Sequence, residues 1–151
     1  MDAIGTSTEL LALGAMAGVF ALFAGIEFLT PARSAARGKR WLTNLALFAI
    51  DTLAVRLLVP LLMVGAAALA QERGWGLLNQ FDVPQWAGVI AAILAMDLAL
   101  YVQHWATHRI PLLWRLHKVH HSDPAFDVTT AARFHPIEIV ASMVFKMAVV
   151  V

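Results

Sequence analysis

The sequence predicts an all-α integral membrane protein, a bundle of about four hydrophobic helices with histidine-rich helices on its cytoplasmic side. The composition is 60% hydrophobic and only 14% charged, whereas a soluble domain usually carries about a quarter charged residues. Apolar runs long enough to cross a bilayer, about 20 residues, recur along the chain. Five of the six histidines lie between residues 104 and 121, where the third of these runs ends.

The first two hydrophobic segments are residues 10–29 and 42–70. Residues 10–29 hold a single charge, Glu27. A helix of this length, rising about 1.5 Å per residue, spans the roughly 30 Å hydrocarbon core. The run 42–70 is too long for one perpendicular crossing. We therefore predict either one tilted helix or a helix that bends at Pro60.

The third segment, residues 87–108, runs directly into the histidine-rich region, and the fourth begins at residues 137–151. We interpret residues 1–151 as a single membrane domain. The fourth segment stays apolar to the last residue without a helix stop signal, and natural helices usually carry one. We therefore expect these 151 residues to be the N-terminal part of a longer chain.

The basic residues predict the orientation in the membrane. The loop at residues 31–41 holds four Lys or Arg side chains, and the loop at residues 71–86 holds one. Cytoplasmic loops carry the excess of basic residues. The first loop is therefore predicted to be cytoplasmic, and the third helix then delivers the histidines to the cytoplasmic face, as in a bacterial inner membrane.

Composition also excludes several classes of partner and cofactor. The formal net charge is +1, which provides no basic field for nucleic acid. The chain has no cysteine, which excludes disulfides, iron–sulfur clusters and thiolate zinc sites. Any metal would be held by histidine, carboxylate or water.

The histidines fall into two groups, each at helical spacing. In the first group Asp97, Tyr101, His104 and His108 share one helix face, at i, i+4, i+7 and i+11. His104 and His108 could therefore ligate one metal, with Asp97 and Tyr101 as neighbours that orient the imidazoles. Pro111 is expected to break this helix.

The second group, "HKVHH", places its imidazoles on one side if the segment is helical. Two converging histidine faces predict a multi-imidazole metal site, which favours Fe, Zn, Cu or Ni over Mg or Ca. The lone histidine of "ARFHPIE" could be a further ligand or a neighbour of one. "HWATH" lacks the glutamate of a HExxH protease, while a bis-histidine haem would leave other histidines unexplained. The candidate metal ligands are His104, His108, His117, His120, His121 and His135.

The longest motif, "DLALYVQHWATHRIPLLWRLHKVHHSDPAFDVTTAARFHPIE", resembles the fatty acid hydroxylase/sterol desaturase superfamily of membrane-bound, histidine-rich di-iron oxygenases, and its bacterial branch especially. A weaker likeness at "RWLTNL", Arg40–Leu45, extends the resemblance from about residue 40 to the end. The resemblance implies O₂-dependent hydroxylation or desaturation of C–H bonds in a sterol, fatty acyl, carotenoid or similar lipid. It also implies electrons from a reductase partner. The iron ligands that it implies are His104, His108, His117, His120 and His121.

The family carries a further histidine cluster downstream of the "RFHPIE" region, and this sequence ends before it. We therefore expect the chain alone to be inactive or only partly metallated. Zinc could occupy the site in a purified sample, because it binds nitrogen ligands more tightly than iron(II). A non-catalytic metal-binding or metal-transporting membrane protein is the alternative interpretation, and a structural bundle with interfacial histidines is a third.

Overall fold

The computed structural model describes residues 3–30, 38–59 and 63–151, without the side chains of residues 3–9 and 12. The structure is all-helical, with 84% helix and no strand among the residues described. The predicted all-α class is confirmed. The helices are α1 (Ala3–Leu29), α2 (Gly38–Leu58), α3 (Met63–Arg73), α4 (Gln85–Arg109), α5 (Pro111–His121) and α6 (Pro136–Val150), with 3₁₀ turns at Leu77–Asn79 and Val128–Ala132.

The hydrophobic segments correspond to helices, with one division. α1 contains residues 10–29, α4 contains residues 87–108, and α6 starts one residue before the predicted fourth segment. The run 42–70 is shared between two helices: α2 ends at Leu58, and α3 begins at Met63. Pro60, the predicted bend, and residues 31–37 of the predicted basic loop lie outside the described residues.

By length and composition, two helical stretches could cross a membrane: Gly38–Asn79, of which residues 60–62 lie outside the described part, and Gln85–Arg109. The part of α1 at Leu13–Leu29 is a shorter apolar stretch. None of the apolar window of α4 is buried inside the protein. Ile93 and Leu94, for example, are 62% and 63% exposed. Large contiguous apolar surfaces of this kind are typical of contact with lipid or with another protein surface.

The interior is small and largely polar. α6 packs against α2, α3, α4 and α5, and the buried apolar residues are Val55, Val59, Ala66 and Ala70. Small side chains let helices approach closely in a membrane bundle. The buried polar residues are Asn44, Asp51, Thr107, His117, Asp123, Thr129, Thr130, Glu138 and Ser142. Polar groups inside a membrane bundle are costly and usually mark a functional region.

The start of α2 is fastened to the loop between α5 and α6 by a set of side-chain contacts that we call the α2 clamp. Arg40 donates to Asp123 Oδ2 at 2.8 Å and also pairs with Asp127. Trp41 Nε1 donates to the same Asp127 carboxylate at 2.8 Å. Asn44, which is fully buried, donates to Asp123 Oδ2 at 2.9 Å. The clamp therefore fixes the chain immediately after the second histidine group. Its members are Arg40, Trp41, Asn44, Asp123, Asp127, Thr129, Thr130 and Arg133.

α1 joins the same loop through the charge noted in its sequence. Glu27 Oε2 accepts a hydrogen bond from the backbone N–H of Val128 at 2.9 Å. Val128 is the first residue of the 3₁₀ turn Val128–Ala132. The first N–H groups of a helix have no partner within the helix, so a carboxylate at this position can accept hydrogen bonds from them. The single charge of the hydrophobic segment 10–29 thus has a structural partner.

The ion pairs of the α2 clamp are expected to make the stability of the fold sensitive to acid. Burial raises the pKa of Asp127, but hydrogen bonds from Arg40, Thr129 and Trp41 outweigh burial and lower that pKa from 3.8 to about 2. Because the folded-state pKa is depressed, the stabilisation is complete above pH 3.8 and is lost as the pH falls towards 2. A shift of this size corresponds to about 2 kcal/mol of folding free energy at neutral pH.

We expect the thermal unfolding midpoint in detergent to decrease as the pH is lowered from 4 to 2. In Asp127→Asn this decrease should be smaller than in the wild type. Asp82→Asn is the matched control, because Asp82 is exposed in the loop before α4. Circular dichroism melts across this pH range provide the measurement. An unchanged pH profile for Asp127→Asn would show that other groups govern the acid response.

Candidate metal centre

The first histidine pair lies at the end of α4. His104 and His108 are one turn apart, and their ring centroids are 4.8 Å apart. α4 ends at Arg109, Ile110 is extended with φ −94° and ψ 116°, and Pro111 opens α5. Proline cannot continue a helix but suits its first turn. The predicted break at Pro111 therefore turns the chain so that the second histidine group folds back towards the first.

His117 of α5 completes a three-histidine cluster. Its ring centroid lies 4.9 Å from those of His104 and His108. One ligand nitrogen from each of the three rings lies within 4.8 Å of the others. Two nitrogens bound about 2 Å from one ion are at most about 4 Å apart. The rings thus need only a small adjustment to share an ion.

The remaining histidines surround this cluster at different distances. His121 Nε2 lies 3.3 Å from His108 Nε2. His120 stacks on Phe134, with centroids 4.8 Å apart and an interplanar angle of 7°. His135 caps the start of α6, where its Nδ1 accepts from the backbone N–H of Ile137 at 3.2 Å. His135 is thus not part of the three-histidine cluster, and its role as a ligand stays a prediction.

Several buried polar atoms have no hydrogen-bond partner in the part of the chain that the structure describes. Near the cluster these are His117 Nε2, His120 Nδ1 and Glu138 Oε2. Leaving a buried polar atom unpaired costs about 1–3 kcal/mol, and a cation bound by such lone pairs would remove that cost. The donor set therefore fits a metal ion that prefers nitrogen ligands.

Burial and neighbouring imidazoles keep two of the histidines, His117 and His121, available as ligands. Burial lowers the pKa of His117 to about 4, and the neighbouring His104, His108 and His120 lower it further. Burial and His117 likewise lower the pKa of His121. Near neutral pH His117 is therefore uncharged, which is the form of imidazole that binds a metal.

The orienting partner of His117 is a residue that the sequence analysis did not single out. His117 Nδ1 lies 2.6 Å from Glu138 Oε1, and both residues are buried. The motif "RFHPIE" contains this glutamate, and Pro136 starts α6 so that Glu138 falls in its first turn. An acid in the first turn of a largely apolar helix was the signal that could have identified it.

The predicted orienting residues Asp97 and Tyr101 lie elsewhere on α4. Both are exposed, and Tyr101 is 68% exposed. Within the described residues, neither forms a hydrogen bond with a candidate ligand. Their orienting role stays a prediction.

The comparison with known families covers this same region. Residues 89–151 match the family model described as fatty acid hydroxylase. The match agrees with the predicted superfamily and includes all six histidines. No solved structure matches the chain.

The match of residues 89–151 to the fatty acid hydroxylase family model indicates an oxidoreductase of the hydroxylase type. The family is known for using iron, and the histidine cluster supplies ligands of a suitable kind. The apolar helices, together with the family, indicate a membrane protein.

The segment that matches the family model, residues 89–151, is also held in place by side chains that precede it in the sequence. Arg133 Nε donates to the carbonyl of Val119 at 2.8 Å, and its Nη1 donates to Asn44 Oδ1 at 2.9 Å. Arg133 thereby ties the last turn of α5, which carries the second histidine group, to α2. The likeness at "RWLTNL" covers the three α2 residues that form the clamp, Arg40, Trp41 and Asn44, but the sequence alone did not indicate their partners.

Proposed function

We propose that this protein is a membrane-bound, iron-dependent hydroxylase or desaturase that oxidises a C–H bond of a lipid with O₂. The observation that carries the proposal is the convergence of His104, His108 and His117, within a segment that matches the fatty acid hydroxylase family. The iron ligands would be His104, His108, His117, His120 and His121, with His135 as a further candidate for a di-iron site.

Bound iron would supply the redox chemistry by which O₂ oxidises an unreactive C–H bond, which amino-acid side chains cannot provide. The protein residues have three tasks. The imidazoles of α4 and α5 hold the metal, and Glu138 holds the ring of His117. The burial of His117 keeps water away from its ring.

An apolar cavity beside the histidines could receive the lipid. It has a volume of about 290 Å³ and lies between α4, α5 and α6, with Val102, Ala106, Leu113, Leu116 and Phe145 among its walls. Its polar boundary includes Thr107 and Glu138, next to the cluster. An aliphatic chain entering from the bilayer would therefore reach the histidines along an apolar path, as expected for ligand sites with few polar groups.

The proposed setting is the bacterial inner membrane, with the histidines on the cytoplasmic side. The basic residues around the histidine groups support it, because positive side chains favour the cytoplasmic face. A reductase-type electron donor could then reach the centre from the cytoplasm.

The first experiment combines metal analysis with isotope labelling. The purified chain would be loaded anaerobically with Fe²⁺, supplied with a chemical reductant and host lipids, and exposed to ¹⁸O₂. We expect iron to bind in the wild type and less iron to bind in His104→Ala. Oxidation of a lipid, seen as ¹⁸O incorporation or a new double bond, is expected when the chain is extended through the further histidine cluster of the family. Lys118→Ala, an exposed change on α5, is the matched control. Iron binding without lipid oxidation in the extended chain would favour the metal-binding or metal-transporting alternative.

A further inference from the structure

The carboxylate of Glu138 contacts a candidate ligand directly. Glu138 Oε1 and His117 Nδ1 are 2.6 Å apart, and the two side chains are only 10% and 2% exposed. A contact this short between a carboxylate and an imidazole is typical of a charge-assisted hydrogen bond. It joins the first turn of α6 to the centre of α5.

We propose that Glu138 is a positioning residue that sets the tautomer of His117 and thereby makes this histidine a metal ligand. A carboxylate only accepts hydrogen bonds, so the ring proton lies on Nδ1 and the lone pair on Nε2. Nε2 is buried and has no partner in the described structure. The ring that carries it lies 4.9 Å from those of His104 and His108. This inference rests on the metal-binding part of the proposed function.

The position of Glu138 in the fold strengthens the argument. It lies in the first turn of α6, where the helix dipole favours a negative charge. A buried carboxylate is seldom kept for stability, because a well-packed apolar side chain in its place is often as stable or more so. Carboxylates that hold metal-ligating histidines are a general device, and losing one typically lowers metal affinity by about 10–100-fold.

The consequence is that metal binding depends on three helices. α4 and α5 provide the imidazoles, and α6 provides the group that orients the most buried of them. Docking of α6 would therefore precede tight metal binding.

Two variants of Glu138 test the proposal with Co²⁺ as the probe. Glu138→Leu keeps a side chain of similar size but removes the acceptor, and Glu138→Gln keeps an oxygen that can still accept from Nδ1. Titration of the detergent-purified chain, followed by Co²⁺ absorption, is expected to show about a 10–100-fold weaker affinity for the leucine variant. The glutamine variant should lie between that variant and the wild type. Met143→Ala, which changes another side chain of α6, is the matched control.

The second measurement is the tautomeric state of His117. In ¹⁵N-histidine spectra of the metal-free protein, we expect the His117 signals of the wild type to show a proton on Nδ1, and those of Glu138→Leu to lose this preference. A purely structural role would change the stability without moving the tautomer. Equal Co²⁺ affinity in the wild type and Glu138→Leu, or an unchanged tautomer, would overturn the proposal. A wild type that binds no Co²⁺ would instead refute the metal centre on which it rests.

Discussion

Replacing His117 with alanine is expected to lower metal affinity by at least about 100-fold, more than any other single histidine substitution. His117 is the central ring of the cluster: its centroid lies 4.9 Å from those of His104 and His108, 5.0 Å from that of His121 and 5.5 Å from that of His120. It is also 1% exposed, so water cannot replace the lost ligand easily.

The measurement is metal content by elemental analysis, together with competition against a chelator of known affinity, on the detergent-purified protein. Lys118→Ala changes the neighbouring exposed residue and should retain wild-type binding. His121→Ala should lose less than His117→Ala, because His121 is exposed. Gel filtration and helical circular dichroism identify a variant that fails to fold. Wild-type metal content in a folded His117→Ala protein would mean that the histidine cluster is not the metal centre.

The parts of the site that the sequence predicts are the local ones. The four-residue spacing of His104 and His108 places them on one helix face, and Pro111 marks the end of α4. The "HKVHH" segment is helical, so that its histidines occur on adjacent turns. Each of these predictions depends on residues within a few positions of one another, where helical periodicity is a direct guide.

The parts that the sequence could not predict depend on long-range packing. Glu138 meets His117 across 21 residues, and Asn44 meets Asp123 across 79. No periodicity links such positions. The expectation for Asp97 and Tyr101 followed from a shared helix face, but which residues of a face meet a neighbouring helix depends on how the helices pack. That information is absent from a single sequence.

The second large effect is expected at Asn44. This side chain is fully buried and donates to Asp123 Oδ2 at 2.9 Å and to Thr129 Oγ1 at 2.8 Å. Its Oδ1 accepts from Arg133 at 2.9 Å. Asn44→Ala would leave the partner groups short of a hydrogen bond in a site that excludes water. Each such loss costs about 1–3 kcal/mol, so we expect the free energy of unfolding to fall by about 2–4 kcal/mol.

Thr43→Ala is the matched control for Asn44→Ala, because Thr43 is exposed on the same turn and bonds only the local carbonyl of Lys39. Unfolding in detergent, followed by circular dichroism, should separate the two variants clearly. Because Arg133 links Asn44 to the carbonyl of Val119 in the last turn of α5, Asn44→Ala should also weaken Co²⁺ binding, but less than His117→Ala. Equal stability of the two variants would show that the α2 clamp does not hold the loop. Reduced stability with unchanged Co²⁺ affinity would show that the histidines are organised by α4, α5 and α6 without it.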